Sequence, residues 1–291
     1  MENNVCSRAI DALKAHFHHH PRPMILTGAG CSTGSGIADY RDKNGNWKHS
    51  PPVLFNDFVK NEATRKRYWA RSMHGWPRIA NAEPNAAHIA LARLDAGGFI
   101  HQIITQNIDG LHQKAGSNNV IDLHGKLDSV KCIDCGYQTS RHTYQTILLE
   151  WNPNFKSRIS VSLPDGDACL AAQDYSSFRF PECPACGGIY KPDVIFFGEF
   201  IPRQRIANAM GALETADSLI IIGSSLMVLS GYRFCQAARK QGKPVISINI
   251  GRSRADGEFS LKIEEDCGQI LMALAEQFEA PRWCNNNRIF M

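Results

Sequence analysis

The sequence predicts an α/β protein built on a doubly wound parallel sheet, with a smaller lobe made of two insertions. Five short apolar, β-branched runs, Met24–Thr27, Ile103–Thr105, Val120–Asp122, Leu219–Gly223 and Val245–Asn249, have the length and composition of parallel strands buried on both faces. Helical stretches at 86–96, 203–216, 231–241 and 267–278 separate most of them, which is the alternation of an open α/β sheet. Two stretches break the alternation, 43–80 and 126–189, and are read as the insertions.

The chain opens with a helix around residues 5–17, followed by the buried strand Met24–Thr27, which runs straight into Gly28-Ala29-Gly30. That is a strand-to-phosphate-loop junction. Gly28-x-Gly30-x-x-Thr33 lacks the third glycine of the dinucleotide fingerprint, and no acidic residue sits near position 48, which disfavours a standard dehydrogenase. Gly28 and Gly30 still let the backbone approach a pyrophosphate, and Ser32 with the following turn presents N–H groups to it. A plain strand-to-helix turn without a ligand explains two glycines nearly as well. Stretch 43–80 reads as helical and aromatic-rich, the helix at 86–96 follows Pro84, and 126–189 carries paired cysteines. The expected division is a Rossmann-like domain of 1–42, 81–125 and 190–291, a helical insertion at 43–80 and a cysteine module at 126–189.

In that module Cys132-Ile133-Asp134-Cys135 and Cys183-Pro184-Ala185-Cys186 are separated by 47 residues. Each Cys-x-x-Cys forms a knuckle whose two sulfurs face one point, and four thiolates fill a tetrahedron without leaving a position for water. The pattern predicts one structural Zn²⁺ and makes the insertion a zinc ribbon. Two disulfides or four unrelated core thiols are the competing readings, and the glycines that follow both knuckles, Gly136 and Gly187-Gly188, favour the metal.

A chain of 291 residues, 43% hydrophobic, has enough apolar side chains for a sizeable core. Ten cysteines are far below the density of a secreted disulfide scaffold. No apolar run approaches the ~20 residues that span a bilayer, and Met1-Glu2-Asn3-Asn4 begins neither a signal nor an Arg-rich transit peptide. The expectation is a cytoplasmic protein with no membrane partner, the mitochondrial matrix being the alternative. A mild, unclustered net charge of +4 gives no reason to expect direct nucleic-acid binding. His18-His19-His20 reads as a solvated helix end or loop, and oligomeric state is not readable.

Five segments together carry a resemblance: Gly28-Ala29-Gly30-Cys31-Ser32-Thr33-Gly34-Ser35-Gly36-Ile37-Ala38-Asp39-Tyr40-Arg41, Thr105-Gln106-Asn107-Ile108-Asp109-Gly110-Leu111-His112, Leu123-His124-Gly125, Lys191-Pro192-Asp193-Val194-Ile195-Phe196-Phe197-Gly198-Glu199 and Gly223-Ser224-Ser225-Leu226. With the four cysteines between them, they resemble the signature segments of the sirtuins, in the family's order, from about residue 24 to about residue 275. Tyr68-Trp69-Ala70-Arg71, Gly75-Trp76-Pro77, Pro164-Asp165-Gly166-Asp167 and Ser230-Gly231-Tyr232-Arg233-Phe234 are most similar to the class II branch, which includes a mitochondrial lipoamidase and ADP-ribosyltransferase. Ala38, where the family usually has Pro, and Cys31, where an aliphatic residue is common, depart from the pattern.

The resemblance implies NAD⁺-dependent removal of acyl groups from protein lysines, with nicotinamide, free lysine and acyl-ADP-ribose as products. Departure of nicotinamide builds oxocarbenium character at the ribose C1′, which the acyl oxygen then attacks from the opposite face. Asn107 and Asp109, with Ile108 alongside, would hold the nicotinamide end. His124 would be the general base for a ribose hydroxyl, a role that suits a side chain titrating near neutrality. A lone histidine is more often structural, but His124 follows a strand ending at the edge where ligands bind in such folds, whereas His112 has no assigned role. Gly28, Ala29, Gly30 and Ser32 would meet the phosphates; Asp39, Tyr40 and Arg41 lie on the loop over the nicotinamide ribose, which Gln106 would also contact. Gly223, Ser224 and Ser225 would form a second cradle. Asn249, followed by Ile250 and Gly251, would reach the adenosine ribose, with Cys267 beside the adenine, although a turn residue explains Asn249 as well.

The peptide would lie as an added strand against Val194, Phe196, Phe197, Gly198 and Glu199, a mode that recognises backbone more than sequence. Tyr68 and Arg71 stand three apart on a predicted helix, and a similar Tyr-x-x-Arg pair faces the acyl tunnel of acidic-acyl-selective sirtuins. A surface Arg beside a core tyrosine is the alternative. Two other functions compete: a protein mono-ADP-ribosyltransferase using the same NAD site, and a zinc-ribbon protein that senses NAD or holds a partner. Intact His124, Asn107 and Asp109 oppose the second.

Overall fold

The structure is a computed structural model that describes residues 2–49, 52–155, 159–162, 168–170 and 174–279. The Pro164–Asp167 segment quoted above lies outside the described residues. In chain order the first half contains α1 (Glu2–His19), β1 (Pro23–Thr27), α2 (Phe55–Lys60), α3 (Glu62–Ala80), α4 (Ala86–Ala96), β2 (Gln102–Thr105), α5 (Leu111–Lys114), β3 (Val120–Asp122) and β4 (Gly125–Cys132). The second half contains β5 (Gln138–Ser140), α6 (Arg141–Trp151), β6 (Ile159–Ser162), β7 (Ala168–Leu170), β8 (Tyr190–Val194), α7 (Arg203–Thr215), β9 (Ser218–Ile222), α8 (Leu229–Lys240), β10 (Val245–Ile248), β11 (Leu261–Ile263) and α9 (Cys267–Glu279).

Six strands form one parallel sheet in the order β11-β10-β9-β1-β2-β3. The central strands β10, β9, β1 and β2 are largely apolar on both faces because both are covered, and alternation along each strand divides the side chains between two cores. Ile25, Ile103, Ile220 and Ile246 join Leu13 of α1, Leu91 of α4 and Leu274 of α9 on one face. Met24, Leu26, Ile104, Leu219 and Ile221 pack on Leu213 of α7 and Phe234 of α8 on the other. The chain leaves β1 toward β2 and β3 on one side and later fills β9, β10 and β11 on the other, which opens a crevice at the carboxyl ends of the central strands.

A third core belongs to the inserted segments. Phe58 of α2, Tyr68, Trp69 and Met73 of α3 and Tyr144 and Leu148 of α6 pack with the three-stranded sheet β5-β4-β8. Asn61 caps α3 by accepting from the Thr64 N–H. Arg141 is fully buried, its guanidinium donating to Ser72 and Gln145 and lying 4.7 Å from the Trp76 ring centroid. Residues 29–35 adopt two 3₁₀ turns where a phosphate-loop helix would begin. Among the described residues no helix is long and apolar enough to cross a membrane.

Candidate active site

Parallel strands place the predicted groups side by side. Gly28 follows β1, Gln106 follows β2, Gly223 follows β9 and Asn249 follows β10, while His124 stands two residues beyond β3 and one before β4. All five line one cleft of about 400 Å³, within the usual range for small-molecule sites. Every sequence-predicted cofactor and substrate residue lines it except Gly251, Cys267 and Arg71.

The β1 and β9 loops interlock. Gly30 N–H donates to the Gly223 carbonyl at 2.8 Å, and a Cβ on Gly223, whose φ is +59°, would stand 2.2 Å from the Cys31 nitrogen. Only glycine fits there. Asn107 Nδ2 donates to the Gly28 carbonyl and to Ser32 Oγ, each at 3.0 Å. Ser32 in turn donates to Asp109 Oδ2 at 2.7 Å, and Asp109 Oδ1 accepts from the Leu111 N–H. The hydroxyl of Ser32 is thus occupied in bracing Asn107 and Asp109, and its N–H donates to Ala29. Gln106 Nε2 donates to Ser224 Oγ at 2.8 Å, tying the β2 loop to the β9 loop.

His124 is fixed at both ring nitrogens. Nδ1 lies 2.9 Å from the Gln106 carbonyl, which only accepts, so Nδ1 carries the proton. Nε2 is then a lone pair, and the Ser230 hydroxyl donates to it at 2.8 Å. Burial lowers the His124 pKa, the Gln106 carbonyl opposes that, and the cationic Arg205 and Arg233 add to the lowering. The resting imidazole is therefore a neutral base. A Cβ on Gly125, φ +80°, would meet the Asp193 carbonyl at 2.0 Å, so the chain turns from His124 into β4 pressed against β8.

Over the cleft, Trp47 stands edge-on to Tyr40 and Phe197, with the Arg41 guanidinium 4.0 Å from its ring centroid. Asp39 is ion-paired with Lys48. On the far wall Ile195 N–H donates to the His124 carbonyl, Phe197 accepts from the Phe55 N–H, and Glu199 Oε2 accepts from both Phe196 N–H and the buried Lys191 ammonium. Tyr68 is buried against Phe58 and Phe196 and faces the cleft. Arg71 does not. A separation of three residues leaves the two side chains about 60° apart around the helix axis, enough to carry one off the lined wall. Sequence reasoning also passed over Trp47, Ser230, Arg233 and Arg252 as lining residues. Ser230 and Arg233 sit in a quoted segment, but nothing local distinguishes them from a helix start.

Both implied groups fit their surroundings. Arg41, Arg233 and Arg252 share the cleft with the paired glycine loops, a cationic setting for a pyrophosphate-bearing ligand such as NAD⁺. The sulfurs of Cys132, Cys135, Cys183 and Cys186 all lie within 4.8 Å of one another, and Cys132–Cys186 and Cys135–Cys183 are each 3.6 Å apart. A tetrahedron with Zn–S bonds of ~2.3 Å has edges of roughly 3.8 Å, so the cage matches a structural Zn²⁺.

Residues 28–230 match the model of the Sir2 family. The chain is 52% identical over 266 residues to the NAD-dependent protein deacetylase 2 of Bradyrhizobium diazoefficiens, covering 91% of this chain and 97% of that one. It is 50% identical over 262 residues to the NAD-dependent protein deacetylase of Bordetella bronchiseptica, covering 90% and 96%. A solved complex of Sir2 with a p53 peptide and NAD⁺ superposes with a TM-score of 0.75 at 28% identity, covering 94% of this chain and 99% of that one. By its sequence, its sheet and its site, the chain belongs to the sirtuin (Sir2) family.

Proposed function

We propose that this protein is an NAD⁺-dependent protein-lysine deacylase that transfers the acyl group from lysine to ADP-ribose and releases nicotinamide. One observation carries the reading: a neutral histidine, His124, has its Nε2 lone pair in the same cleft as an interlocked pair of phosphate loops and the Val194–Glu199 wall. The relatives named NAD-dependent protein deacetylases support it.

NAD⁺, when bound, supplies an electrophilic ribose carbon with nicotinamide as its leaving group. Ala29, Gly30, Gly223 and Ser225 hold the phosphate region, Asn249 and Ile250 the adenosine end, and Asn107 with Asp109 orients the leaving group. His124 Nε2 accepts a proton from a ribose hydroxyl, for which Ser230 has to give up its hydrogen bond or pass the proton along. Tyr40, Arg41 and Trp47 cover this end and exclude water. The acyl chain passes Ile108, Tyr68 and Phe196, an apolar wall with Arg71 outside it, which favours uncharged acyl groups. The zinc cage holds the small lobe and leaves no open position for catalysis.

Profiling nicotinamide release with acetyl, succinyl, glutaryl, lipoyl and long-chain acyl peptides tests the reading. Release matched one for one by free lysine supports it. Release without an acyl peptide, with ADP-ribose transferred to protein, indicates the ADP-ribosyltransferase, and no release with any peptide indicates a binding protein.

A further inference from the structure

Cys31 sits directly behind the β1 phosphate loop, fully buried, between Gly30 and Ser32. Its side chain shares a core cluster with that of Cys267, the partly exposed first residue of the 13-residue α9. Cys267 also approaches the Gly30 carbonyl, at 3.9 Å. His88 and His112 each bring a ring nitrogen within 4.8 Å of the Cys31 sulfur, and both rings are buried. Thr27 Oγ1 donates to Thr105 and therefore accepts from His112 Nε2–H, which leaves His112 Nδ1 as a lone pair. That buried Nδ1 has no hydrogen-bond partner among the described residues.

We propose that Cys267 and Cys31 form a peroxide-responsive thiol pair whose disulfide closes the phosphate loop to NAD⁺. Cys267 meets the oxidant first because it alone reaches solvent. The neighbouring Cys31 thiol and the Gly268 N–H at the start of α9 bring its pKa below the usual thiol value, whereas the pairing and burial raise that of Cys31. In the first step the Cys267 thiolate attacks hydrogen peroxide; an S–O bond forms, the O–O bond breaks, and hydroxide leaves, giving a sulfenic acid. In the second, the Cys31 thiol attacks the Cys267 sulfur and gives its proton directly to the departing hydroxide. The S–S bond forms, the S–O bond breaks, and hydroxide leaves with that proton as water. Two thiols and one peroxide become one disulfide and two waters.

The loop has no slack to absorb the cross-link. Cys31 is followed by Ser32, whose hydroxyl braces Asn107 and Asp109, and is preceded by Gly30, where even a Cβ would stand 2.9 Å from the Gly223 carbonyl. Drawing Cys31 toward α9 displaces these groups together. Only the effect on NAD⁺ rests on the function proposed above; the cross-link does not.

The test treats the full-length, zinc-loaded protein with hydrogen peroxide, alkylates remaining thiols and maps the peptides by mass. Zinc release, NAD⁺ binding and nicotinamide release are followed in parallel. The expected result is a Cys31–Cys267 cross-linked peptide, zinc retained, and loss of NAD⁺ binding that dithiothreitol restores. In Cys31→Val the oxidation stops at a Cys267 sulfenic acid trapped by dimedone, and no cross-link forms. Cys31 and Cys267 both still open to alkylation while zinc is released would overturn the proposal, as would NAD⁺ binding lost to the same extent in Cys31→Val as in wild type, each relative to its untreated sample. Should Cys31→Val fail to fold, the wild-type peptide map alone decides. An untreated enzyme inactive on every acyl peptide would sink the deacylase reading and leave the cross-link result standing.

Discussion

Glu199→Ala should weaken both the fold and the hold on the peptide, by an amount the local contacts define. Lys191 and Glu199 are 7% and 18% exposed and 3.1 Å apart, and the ammonium also donates to the Pro192 and Val194 carbonyls. Burial lowers the Lys191 pKa, and the Glu199 carboxylate is the main group opposing it, with Asp193 adding less. Breaking a buried pair from one side costs about 3–5 kcal/mol, and the retained carbonyls put this case near the lower end, about 3 kcal/mol. Phe196 N–H also loses its acceptor, worth about 1 kcal/mol. At roughly 2–4 °C per kcal/mol for a chain of this size, Tm should fall by about 8–16 °C. Because Phe196 lines the wall proposed to hold the peptide, the KM for acyl peptide should rise more than the KM for NAD⁺. Glu199→Gln keeps the acceptor for Phe196 and should lose less. Pairing Glu199→Leu with Lys191→Met should recover most of the loss, since the uncompensated charge is gone. A Tm within about 2 °C of wild type for Glu199→Ala, or a double variant whose loss is the sum of the singles, would refute the reasoning.

Four further outcomes follow from the same structure. His112 titrates near 6.5 when unfolded but is pushed to about 3 by burial, so the unfolded chain binds the extra proton and stability falls as pH drops from 6.5 toward 3; His112→Gln should remove up to about 1.4 kcal/mol per pH unit from that slope in denaturant titrations. The lowered pKa of His124 keeps it a base below pH 6.5, so the acid limb of kcat/KM should lie under that value, and a limb above it would contradict the burial. Metal analysis should find one zinc per chain, with Cys183→Ser losing zinc and unfolding the small lobe; folded, active, zinc-free protein would contradict the cage. Arg71→Met should leave the ratio of succinyl to acetyl turnover unchanged, because Arg71 is off the cleft wall, and a collapse of succinyl turnover alone would restore it to the acyl pocket.

The sheet was legible because strands covered on both faces leave a signature that survives without neighbours: Ile-, Leu- and Val-rich runs three to five residues long. β11 was not, since Leu261-Lys262-Ile263 has a lysine at its centre that breaks the apolar run. In α6 the buried positions include Arg141 and Gln145, whose polarity masks the apolar stripe that would announce a helix. β4 is interrupted by a register shift between Gly125 and Val130, which breaks the alternation a strand is read by. Much the same divides the site. Residues immediately beyond strand ends are placed by the fold itself, so chemistry-bearing types there could be assigned. Ser230 reaches His124 across 106 positions of sequence, a contact no local pattern encodes. Tyr68 and Arg71 share a helix spacing but not the cleft, because spacing sets an angle and only packing decides which wall it faces.

His124→Ala tests the central claim most directly, measured as single-turnover release of nicotinamide and of free lysine from an acyl peptide, beside NAD⁺ affinity and Tm. A general base contributes about 10²–10⁴-fold, so lysine release should fall by at least that lower figure. NAD⁺ affinity and Tm should stay close to wild type, since His124 is only partly buried and its contacts are two hydrogen bonds. Lysine release within a few-fold of wild type would remove His124 from the chemistry and the deacylase mechanism with it.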